Sequence, residues 1–282
     1  MRTLCLGEVL VDLVGDPSGA FVPHFGGDVA NAAVNAARHG GDVALCAGAG
    51  DDPWGAWLRE RLAAEGVALD GFALLDGVQT KIAFVTVDGH GEPTFTFYGD
   101  SVAPPRLPDC DALFFTSNTL VGEQERMLAL TARRRALDAG KPVVVDANLR
   151  PARWSAVDAA VATVRGCVPD ATLLKCNGSE AALLTGEDDP AVAADALLAL
   201  GAHAVVVTLG DKGALLRGAG ATCDAPGVPA EPVDTTGAGD AVTGVLLARL
   251  SAADFDLAVL PDALRDAVGV AARVTEHFGA IA

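Results

Sequence analysis

Residues 234–240, DTTGAGD, are the part of the chain best suited to chemistry on an anion. Apolar residues recur at helical spacing directly after them, from Val242 to Leu250, so the pattern predicts a loop that opens a buried helix. The first N–H groups of a helix have no partner inside it, and they lie at the positive end of the helix dipole. Because Gly237, Ala238 and Gly239 add almost no side chain, an anion can approach those donors.

Asp240 adds a second kind of chemistry to this loop. The helix dipole stabilises a carboxylate in a first turn, so a simple capping role is one explanation. The same carboxylate would repel a phosphate, unless the site needs a base beside the anion. Two other phosphate motifs fit poorly: no Gly-Lys-Ser/Thr triplet occurs in the chain, and a dinucleotide fingerprint beginning at Gly237 would need glycine where Val242 stands.

The DTTGAGD segment resembles the signature of the ribokinase-like (PfkB-type) carbohydrate kinases. In that family the last Asp is the catalytic base, and the GAGD amides hold the transferring phosphate. The resemblance therefore implies that Asp240 is the base and that Gly237, Ala238 and Gly239 form the phosphate cradle. An ordinary glycine-rich helix cap is the alternative. Asp234 is either structural or helps to hold a monovalent cation such as K⁺, as in some relatives.

A second set of candidate residues lies near the N-terminus. Asp12 interrupts the apolar run LVDLV, so its carboxylate lies either at an edge or at the mouth of a site. Residues 26–41 begin with a Gly pair and continue as an Ala-rich helix, for which a plain capped helix is one interpretation. A Gly-Gly pair followed by Asn resembles the family's first signature. It implies that Gly26, Gly27, Asn31 and Asp12 contact the sugar.

Residues 81–98, KIAFVTVDGHGEPTFTFY, predict a hairpin, because two alternating apolar and polar runs flank the glycine-containing DGHG. A surface hairpin is the simpler interpretation. The resemblance implies a small β lid over the sugar, formed by about residues 8–25 and 80–100, with Lys81 and Tyr98 among the substrate-binding residues. It also implies pairing of this lid in a homodimer. Many relatives carry Arg directly after the Tyr, whereas Gly99 stands here.

Polar residues follow three further apolar runs, where turn and cap roles are the simple interpretation. They resemble, in order, the family's DxNxR beside the sugar, NxxE near the phosphates and their metal, and TxGxxG along the nucleotide. The resemblance implies ATP and Mg²⁺ as cofactors, with Glu180 reaching the metal through water and Arg150 orienting the sugar. The three sets are Asp146, Asn148 and Arg150, then Asn177 and Glu180, then Thr208, Gly210 and Gly213.

The elements that must position these residues follow from the hydrophobic pattern. Short apolar runs, such as 112–115, 143–145 and 204–207, alternate with helical stretches such as 123–139 and 191–200. This alternation predicts an α/β fold with a doubly wound, mostly parallel sheet and helices on both faces. Ligands of such sheets bind beyond the carboxyl ends of the strands, where the polar sets lie. No linker or repeat interrupts residues 1–282, so we expect one kinase domain with its small β lid.

Composition excludes several classes of protein. The 282 residues are 51% hydrophobic, which excludes a disordered chain, and a net charge of −17 argues against nucleic-acid or anionic-membrane partners. The six cysteines lie singly without a CxxC motif, as expected for reduced thiols. Glu8 and Asp12 interrupt the N-terminal apolar run before it resembles a signal, and no run is long enough for a membrane span. We therefore expect a cytoplasmic protein.

The resemblance to the PfkB-type kinases implies an ATP-dependent sugar kinase that transfers the γ-phosphoryl group to a sugar hydroxyl. A neutral ketohexose such as fructose is favoured over 2-keto-3-deoxygluconate, because a buried carboxylate needs a charged partner. Lys81 and Arg150 are the candidate cations, while Asp28 and Asp100 add negative charge. Some keto-acid kinases also have the sequence GGD, which here ends at Asp28, and 2-keto-3-deoxygluconate therefore stays open as the acceptor. Ribokinase, nucleoside kinase and a non-catalytic sugar or nucleotide sensor on the same fold stay open as well.

Overall fold

The computed structural model describes residues 1–15, 19–87, 93–218 and 220–281. Within these ranges it contains thirteen strands and eight α-helices. The strands, β1 to β13 in chain order, are Thr3–Leu6, Leu10–Gly15, Phe21–Gly26, Val43–Gly50, Ala68–Leu75, Ile82–Val87, Pro93–Tyr98, Ala112–Thr116, Val143–Asp146, Leu173–Asn177, Ala204–Thr208, Gly213–Gly218 and Ala221–Pro226. The helices, α1 to α8, are Asp28–Arg38, Pro53–Ala64, Glu123–Asp138, Val157–Arg165, Gly178–Thr185, Pro190–Ala199, Ala238–Ala252 and Leu260–Val274.

Nine strands form one large sheet in the order β13-β12-β11-β10-β9-β8-β1-β4-β5. The seven strands from β11 to β5 are parallel, and β12 and β13 add antiparallel pairs at one edge. The chain proceeds from β1 to β4 and β5 on one side, and later to β8 on the other side of β1. The direction of winding therefore reverses between β1 and β8, and this is the switch point at which open α/β sheets bind ligands.

Both faces of the large sheet are covered by helices. Side chains of a strand point alternately to opposite faces, and Leu4 and Leu6 accordingly pack in one core while Cys5 packs in the other. The buried residues of α1, α2, α7 and α8 belong to the core around Cys5. Those of α3 to α6 belong to the core around Leu4 and Leu6. The predicted doubly wound, mostly parallel sheet is thus confirmed.

Helices α1 and α7 pack unusually close to each other. A Cβ atom added at Gly244 of α7 would lie 2.4 Å from the Asn35 Cβ atom of α1 and 2.7 Å from the Ala32 carbonyl oxygen. Only glycine permits this approach, because real Cβ atoms do not come that near to other heavy atoms. As a consequence, the N-terminal turn of α7 lies beside the middle of α1.

A second sheet has four strands in the order β3-β2-β6-β7. Strands β6 and β7 pair antiparallel, as the hairpin pattern predicts, and the DGHG turn at 88–91 lies outside the described residues. Ala83 pairs with both Asp12 and Phe97, so these three side chains share one face of the sheet. Tyr98, the next residue along β7, points to the other face because side chains alternate along a strand.

The structure also describes the state of the cysteines and the character of the helices. All six cysteines are free thiols, and all except Cys110 are buried. None of the helices in the described parts of the chain combines the length and the apolar character needed to cross a membrane.

Candidate active site

Asp240 and Asn31 come from two separate sequence signatures, and the structure brings them into contact. Asp240 lies in the first turn of α7, and the Nδ2 of Asn31 on α1 donates a hydrogen bond of 2.9 Å to its Oδ2. The close packing at Gly244 makes this contact possible across 209 residues of sequence. The Oδ1 of Asn31 is buried and has no hydrogen-bond partner among the described residues. Asn31 therefore holds the orientation of the Asp240 carboxylate.

The surroundings of Asp240 suit it to accept a proton near neutral pH. Burial raises the pKa of Asp240 to about 7, and the negative charge of Asp28 adds to the increase. The hydrogen bond from Asn31 and the charge of Lys175 oppose it, whereas Asp146 raises the pKa further. A general base is most effective when its pKa lies near the working pH.

Three backbone N–H groups at the start of α7 have no acceptor within the described residues. They belong to Gly237, Gly239 and Asp240. At this position the helix amides and the helix dipole attract an anion. Gly237 has a φ of 78°, and a Cβ atom there would lie 2.5 Å from Ala280. Glycine is thus required at this turn because the C-terminal segment packs against it.

A buried cation lies directly against this loop. The Nζ of Lys175 is 3.0 Å from the Asp146 Oδ2, which also accepts a 2.8 Å hydrogen bond from the Thr243 hydroxyl. A Cβ atom at Gly239 would be only 3.0 Å from the Lys175 Nζ. Burial alone lowers the pKa of Lys175, but the carboxylates of Asp146, Glu180 and Asp240 raise it above its ordinary value. Its ammonium group therefore stays charged.

Sequence reasoning missed Lys175, although a signal was present. Lysine is rarely buried, so a lysine inside the apolar run LLKC is either at an edge or paired. The pairing partner, Asp146, is supplied by the neighbouring strand β9.

Asn177 and Glu180 form a capping box at the start of α5. The carboxylate of Glu180 accepts the N–H of Leu149 on Oε1 and the N–H of Asn177 on Oε2, both at 2.9 Å. Burial raises the pKa of Glu180, although Lys175 opposes this. In the described residues no group of three or more His, Cys, Asp or Glu side chains could hold a metal ion.

Arg150 lies near Glu180. Its guanidinium side chain is 57% exposed, and Nη1 is 3.8 Å from the Glu180 Oε1. A role of Arg150 in orienting the sugar stays a prediction.

The residues of the TxGxxG pattern form the tight connection between β11 and β12. The Thr208 hydroxyl donates to the Cys176 carbonyl at 3.4 Å, and Gly210 opens a short 3-10 turn with a φ of 62°. A Cβ atom at Gly213 would lie 2.1 Å from the Ala225 carbonyl oxygen, so glycine is needed here for chain packing alone. The loop lies at the same end of the sheet as Asn177, and its contact with a nucleotide stays a prediction.

The Gly pair at residues 26 and 27 allows the end of β3 to approach Asp12 of β2 and the Glu8 backbone closely. A Cβ atom at Gly26 would lie 2.1 Å from the Asp12 Oδ2, and one at Gly27 would lie 2.5 Å from the Glu8 carbonyl oxygen. Gly27 also has a φ of 102°, which favours glycine. Burial, together with the charge of Glu8, raises the pKa of Asp12 to about 7. Two carboxylates, Asp12 and Asp240, thus have pKa values near neutral at one site.

Asp28 gathers the ends of three elements around one carboxylate oxygen. Its Oδ2 accepts hydrogen bonds from the Thr116 hydroxyl at 2.7 Å, from Asn118 at 2.7 Å and from Asn148 at 2.9 Å. Burial and the charge of Glu8 raise the pKa of Asp28, while its hydrogen bonds lower it. Asp28 was considered in the sequence only for its charge, and its central place depends on contacts 88 to 120 residues apart.

A cavity of about 440 Å³ lies between the second sheet and α3, and Glu8 is its central charged group. Lys81 Nζ is 2.9 Å from the Glu8 Oε2, and Arg153 forms a fork to both Glu8 oxygens at 2.7 and 3.1 Å. The Ser101 hydroxyl donates to Oε2 at 2.6 Å. Burial by itself raises the pKa of Glu8, but Arg153 and then Lys81 outweigh this and bring the pKa to about 2.

Phe97, and not Tyr98, lines this cavity. The alternation of side chains along β7 places Tyr98 on the opposite face, where it is 59% exposed and contacts Phe84 edge to face. Phe97 thus lines the cavity on this strand, and contact of Tyr98 with the substrate stays a prediction. Arg153 was not predicted from the sequence, because nothing in the run PARW distinguishes it from a surface arginine.

Asp234 has a clear structural role. Its Oδ1 accepts the N–H of Thr236 and its Oδ2 accepts the N–H of Gly279, both at 2.9 Å. These bonds tie the start of the DTTGAGD loop to the C-terminal segment. A contribution of Asp234 to a monovalent-cation site stays a prediction.

Comparison with known proteins shows similarity along the whole chain. The family described as pfkB family carbohydrate kinase matches residues 2–282. A fructokinase from Klebsiella pneumoniae is 34% identical over 263 residues, which cover 88% of this chain and 83% of that protein. Two solved structures are similar over nearly their full length. One is aminoimidazole riboside kinase from Salmonella enterica, complexed with aminoimidazole riboside and an ATP analog; the TM-score is 0.90 and the identity 29%, over 100% of this chain and 95% of that one. The other is a fructokinase double mutant from Vibrio cholerae O395 with fructose, ADP and potassium ion; the TM-score is 0.89 and the identity 32%, over 99% of this chain and 94% of that one.

Proposed function

Because the chain belongs to the PfkB family of carbohydrate kinases, we propose that it transfers the γ-phosphoryl group of ATP to a hydroxyl of a neutral sugar, with fructose as the favoured acceptor. The observation that carries this proposal is the first turn of α7. There a carboxylate with a pKa of about 7 lies beside three backbone amides that have no acceptor within the described residues. A base next to an anion cradle is the arrangement that phosphoryl transfer to an alcohol needs.

Each part of the reaction has a residue in this site. Asp240 accepts the proton of the attacking hydroxyl, and Asn31 holds its carboxylate in position. The amides of Gly237 and Gly239 bind the negative charge of the transferred group, and Lys175 adds a fixed positive charge below them. ATP bound with Mg²⁺ supplies the phosphoryl group and neutralises part of the phosphate charge.

The nucleotide and its metal would lie along the ends of β10 and β11. Asn177 and Glu180 are the residues near the metal in this proposal, with Glu180 acting through water; each Glu180 oxygen already accepts one backbone N–H. Thr208, Gly210 and Gly213 border the nucleotide in this proposal.

The charges favour a neutral acceptor over a sugar acid. Asp12 offers an acceptor for sugar hydroxyls, whereas Lys81 and Arg153 are already paired with Glu8. Among the described residues of this site both of these cations are already paired, so a sugar carboxylate would be desolvated at a large cost. A riboside is the second candidate acceptor, because the aminoimidazole riboside kinase structure is as similar to this chain as the fructokinase structure is.

A coupled assay of ATP consumption tests this proposal with fructose, ribose, 2-keto-3-deoxygluconate, aminoimidazole riboside and common nucleosides. We expect the highest kcat/KM with fructose. A higher value with a riboside would support the second candidate, and a higher value with the keto acid would overturn the charge argument. Binding of a sugar without ATP consumption would instead support a sensor.

The outer face of the second sheet supports a homodimer. Phe21 and Tyr98 are 42% and 59% exposed there, and both contact Phe84 edge to face. An exposed apolar patch of this kind is typical of an interface. We expect light scattering to show a dimer, and Tyr98→Lys to weaken it. A monomeric wild-type chain would contradict this assembly.

A further inference from the structure

The cavity around Glu8 lies beside the proposed catalytic residues and not among them. Its lining includes Glu8, Lys81, Phe97, Asn118 and Arg153, but neither Asp240 nor Asn31. Asn118 joins the two regions, because it lines the cavity and also donates to the Asp28 carboxylate at 2.7 Å. A ligand whose one end is held near Asp240 and Asp28 can therefore extend into the cavity.

Within the described residues, both cations of the cavity have hydrogen-bond donors without an acceptor. A guanidinium carries five N–H donors, and the fork from Arg153 to Glu8 uses two of them. Lys81 has three donors and uses two, on Glu8 and Ser101. The Phe97 ring packs on both cations, with its centroid 5.0 Å from the Lys81 Nζ and 6.0 Å from the Arg153 guanidinium carbon. Arg153 is thus held rigidly, with donors still available.

The charges around Arg153 decide which ligand those donors suit. Three carboxylates, Glu8, Asp28 and Glu125, act on Arg153, against the two cations Lys81 and Arg153. A ligand carboxylate or phosphate would add a fourth negative charge to this set. Hydroxyl groups are better suited, because they can accept from Arg153 and donate to a carboxylate at the same time.

We propose that this cavity receives the end of the acceptor sugar remote from the phosphorylated hydroxyl, and that Arg153 is the residue that selects an uncharged, hydroxyl-rich end there. The inference rests on the proposed kinase function and assigns a specificity role to a residue outside the DxNxR pattern. Glu8 acts as the positioning residue, since its two oxygens fix the plane of the guanidinium.

Arg153→Ala and Arg153→Lys test the role, with Arg134→Ala as the matched control. Arg134 is 84% exposed and makes only a surface pair with Asp138 on α3. For Arg153→Ala we expect the KM of the neutral sugar to rise roughly 10- to 100-fold, the range for a lost hydrogen bond to a charged donor, while the KM of ATP stays unchanged. The sugar KM of Arg153→Lys should lie between those of wild type and Arg153→Ala, because lysine keeps the positive charge but cannot form the two parallel hydrogen bonds to Glu8. The control should match wild type.

Direct sugar binding separates this inference from the proposed function. Calorimetry without ATP gives the Kd of the sugar for each variant, and a melting curve checks that each variant is folded. Wild-type chain that binds the sugar without phosphorylating it would refute the kinase proposal, and the Kd values would still test Arg153. A Kd and an acceptor KM unchanged in both Arg153 variants, or no sugar binding by wild type, would overturn the inference.

Discussion

Two carboxylates at opposite ends of the site, Glu8 and Asp240, experience similar burial but have very different acidities. Burial raises the pKa of each, yet the pKa of Glu8 is about 2 and that of Asp240 is about 7. Glu8 contacts two cations and a hydroxyl, whereas Asp240 receives one amide hydrogen bond and lies near the negative charge of Asp28. Partners, and not depth, therefore decide which carboxylate keeps its charge and which can take up a proton.

The difference also separates stability from function. The folded-state pKa of Glu8 is lowered, so its contribution to stability is present above about pH 4.5 and is lost as the pH falls toward 2. The folded-state pKa of Asp240 is raised, so ionising it reduces stability as the pH rises from about 3.8 through 7. One carboxylate holds the site together, and the other makes it reactive at a cost in stability.

The largest expected effect is that of Asp240→Asn. Turnover should fall by roughly 10²- to 10⁴-fold, the usual range for loss of a general base, while sugar and ATP still bind. The melting temperature at pH 8 should rise, because the change removes a buried negative charge. Asp262→Asn, at a carboxylate that is 93% exposed, is the control for both measurements. Turnover near wild type would refute the role of Asp240.

Glu8→Gln should differ from Asp240→Asn in that it causes a large loss of stability. Removing one partner of a buried pair costs about 3 kcal/mol or more, because Lys81 and Arg153 lose their anion. Urea unfolding at pH 7 measures this loss, which should shrink as the pH falls from about 4.5 toward 2. Asp224→Asn removes a 73%-exposed partner of Arg217 and should cost at most about 1 kcal/mol. Equal losses for the two variants would show that the buried partners of Glu8 add nothing to stability.

Glu180 sharpens the comparison as a further carboxylate, whose two hydrogen bonds come from backbone N–H groups while Arg150 lies farther away, at 3.8 Å. Glu180→Gln should weaken the use of Mg²⁺ roughly 10- to 100-fold, the range for a group that acts on a metal indirectly. Rates at limiting and saturating Mg²⁺ measure this effect. The same loss at both concentrations would show that Glu180 only caps α5.

Asp28→Asn should have the smallest effect, on the pH dependence of the reaction. Asp28 and Asp146 raise the pKa of Asp240, and Lys175 lowers it, so removing the Asp28 charge shifts the balance downward. The acid limb of kcat/KM should move from about pH 7 to lower pH by on the order of one unit. An unchanged acid limb in a variant that melts like wild type would show that Asp28 does not act on the base.

Some of this site could be predicted from sequence because the signals are local. The DTTGAGD loop and the apolar spacing after it predict a helix start with unpaired amides, and α7 begins at Ala238. The alternation of apolar runs and helical stretches likewise predicts the parallel sheet, because strand and helix periods are properties of neighbouring residues. These patterns also indicated a carbohydrate kinase, which the family match confirms.

Tertiary structure alone decided which side chains meet. Asn31 contacts Asp240, and Arg153 contacts Glu8, across 209 and 145 residues. The sequence pattern indicated Arg150, whereas the arginine that lines the cavity around Glu8 is Arg153, three residues further along the chain. The pKa values of Glu8 and Asp240 also depend on tertiary structure. Burial makes both carboxylates harder to ionise, and their difference depends on charges that only folding brings within a few ångströms.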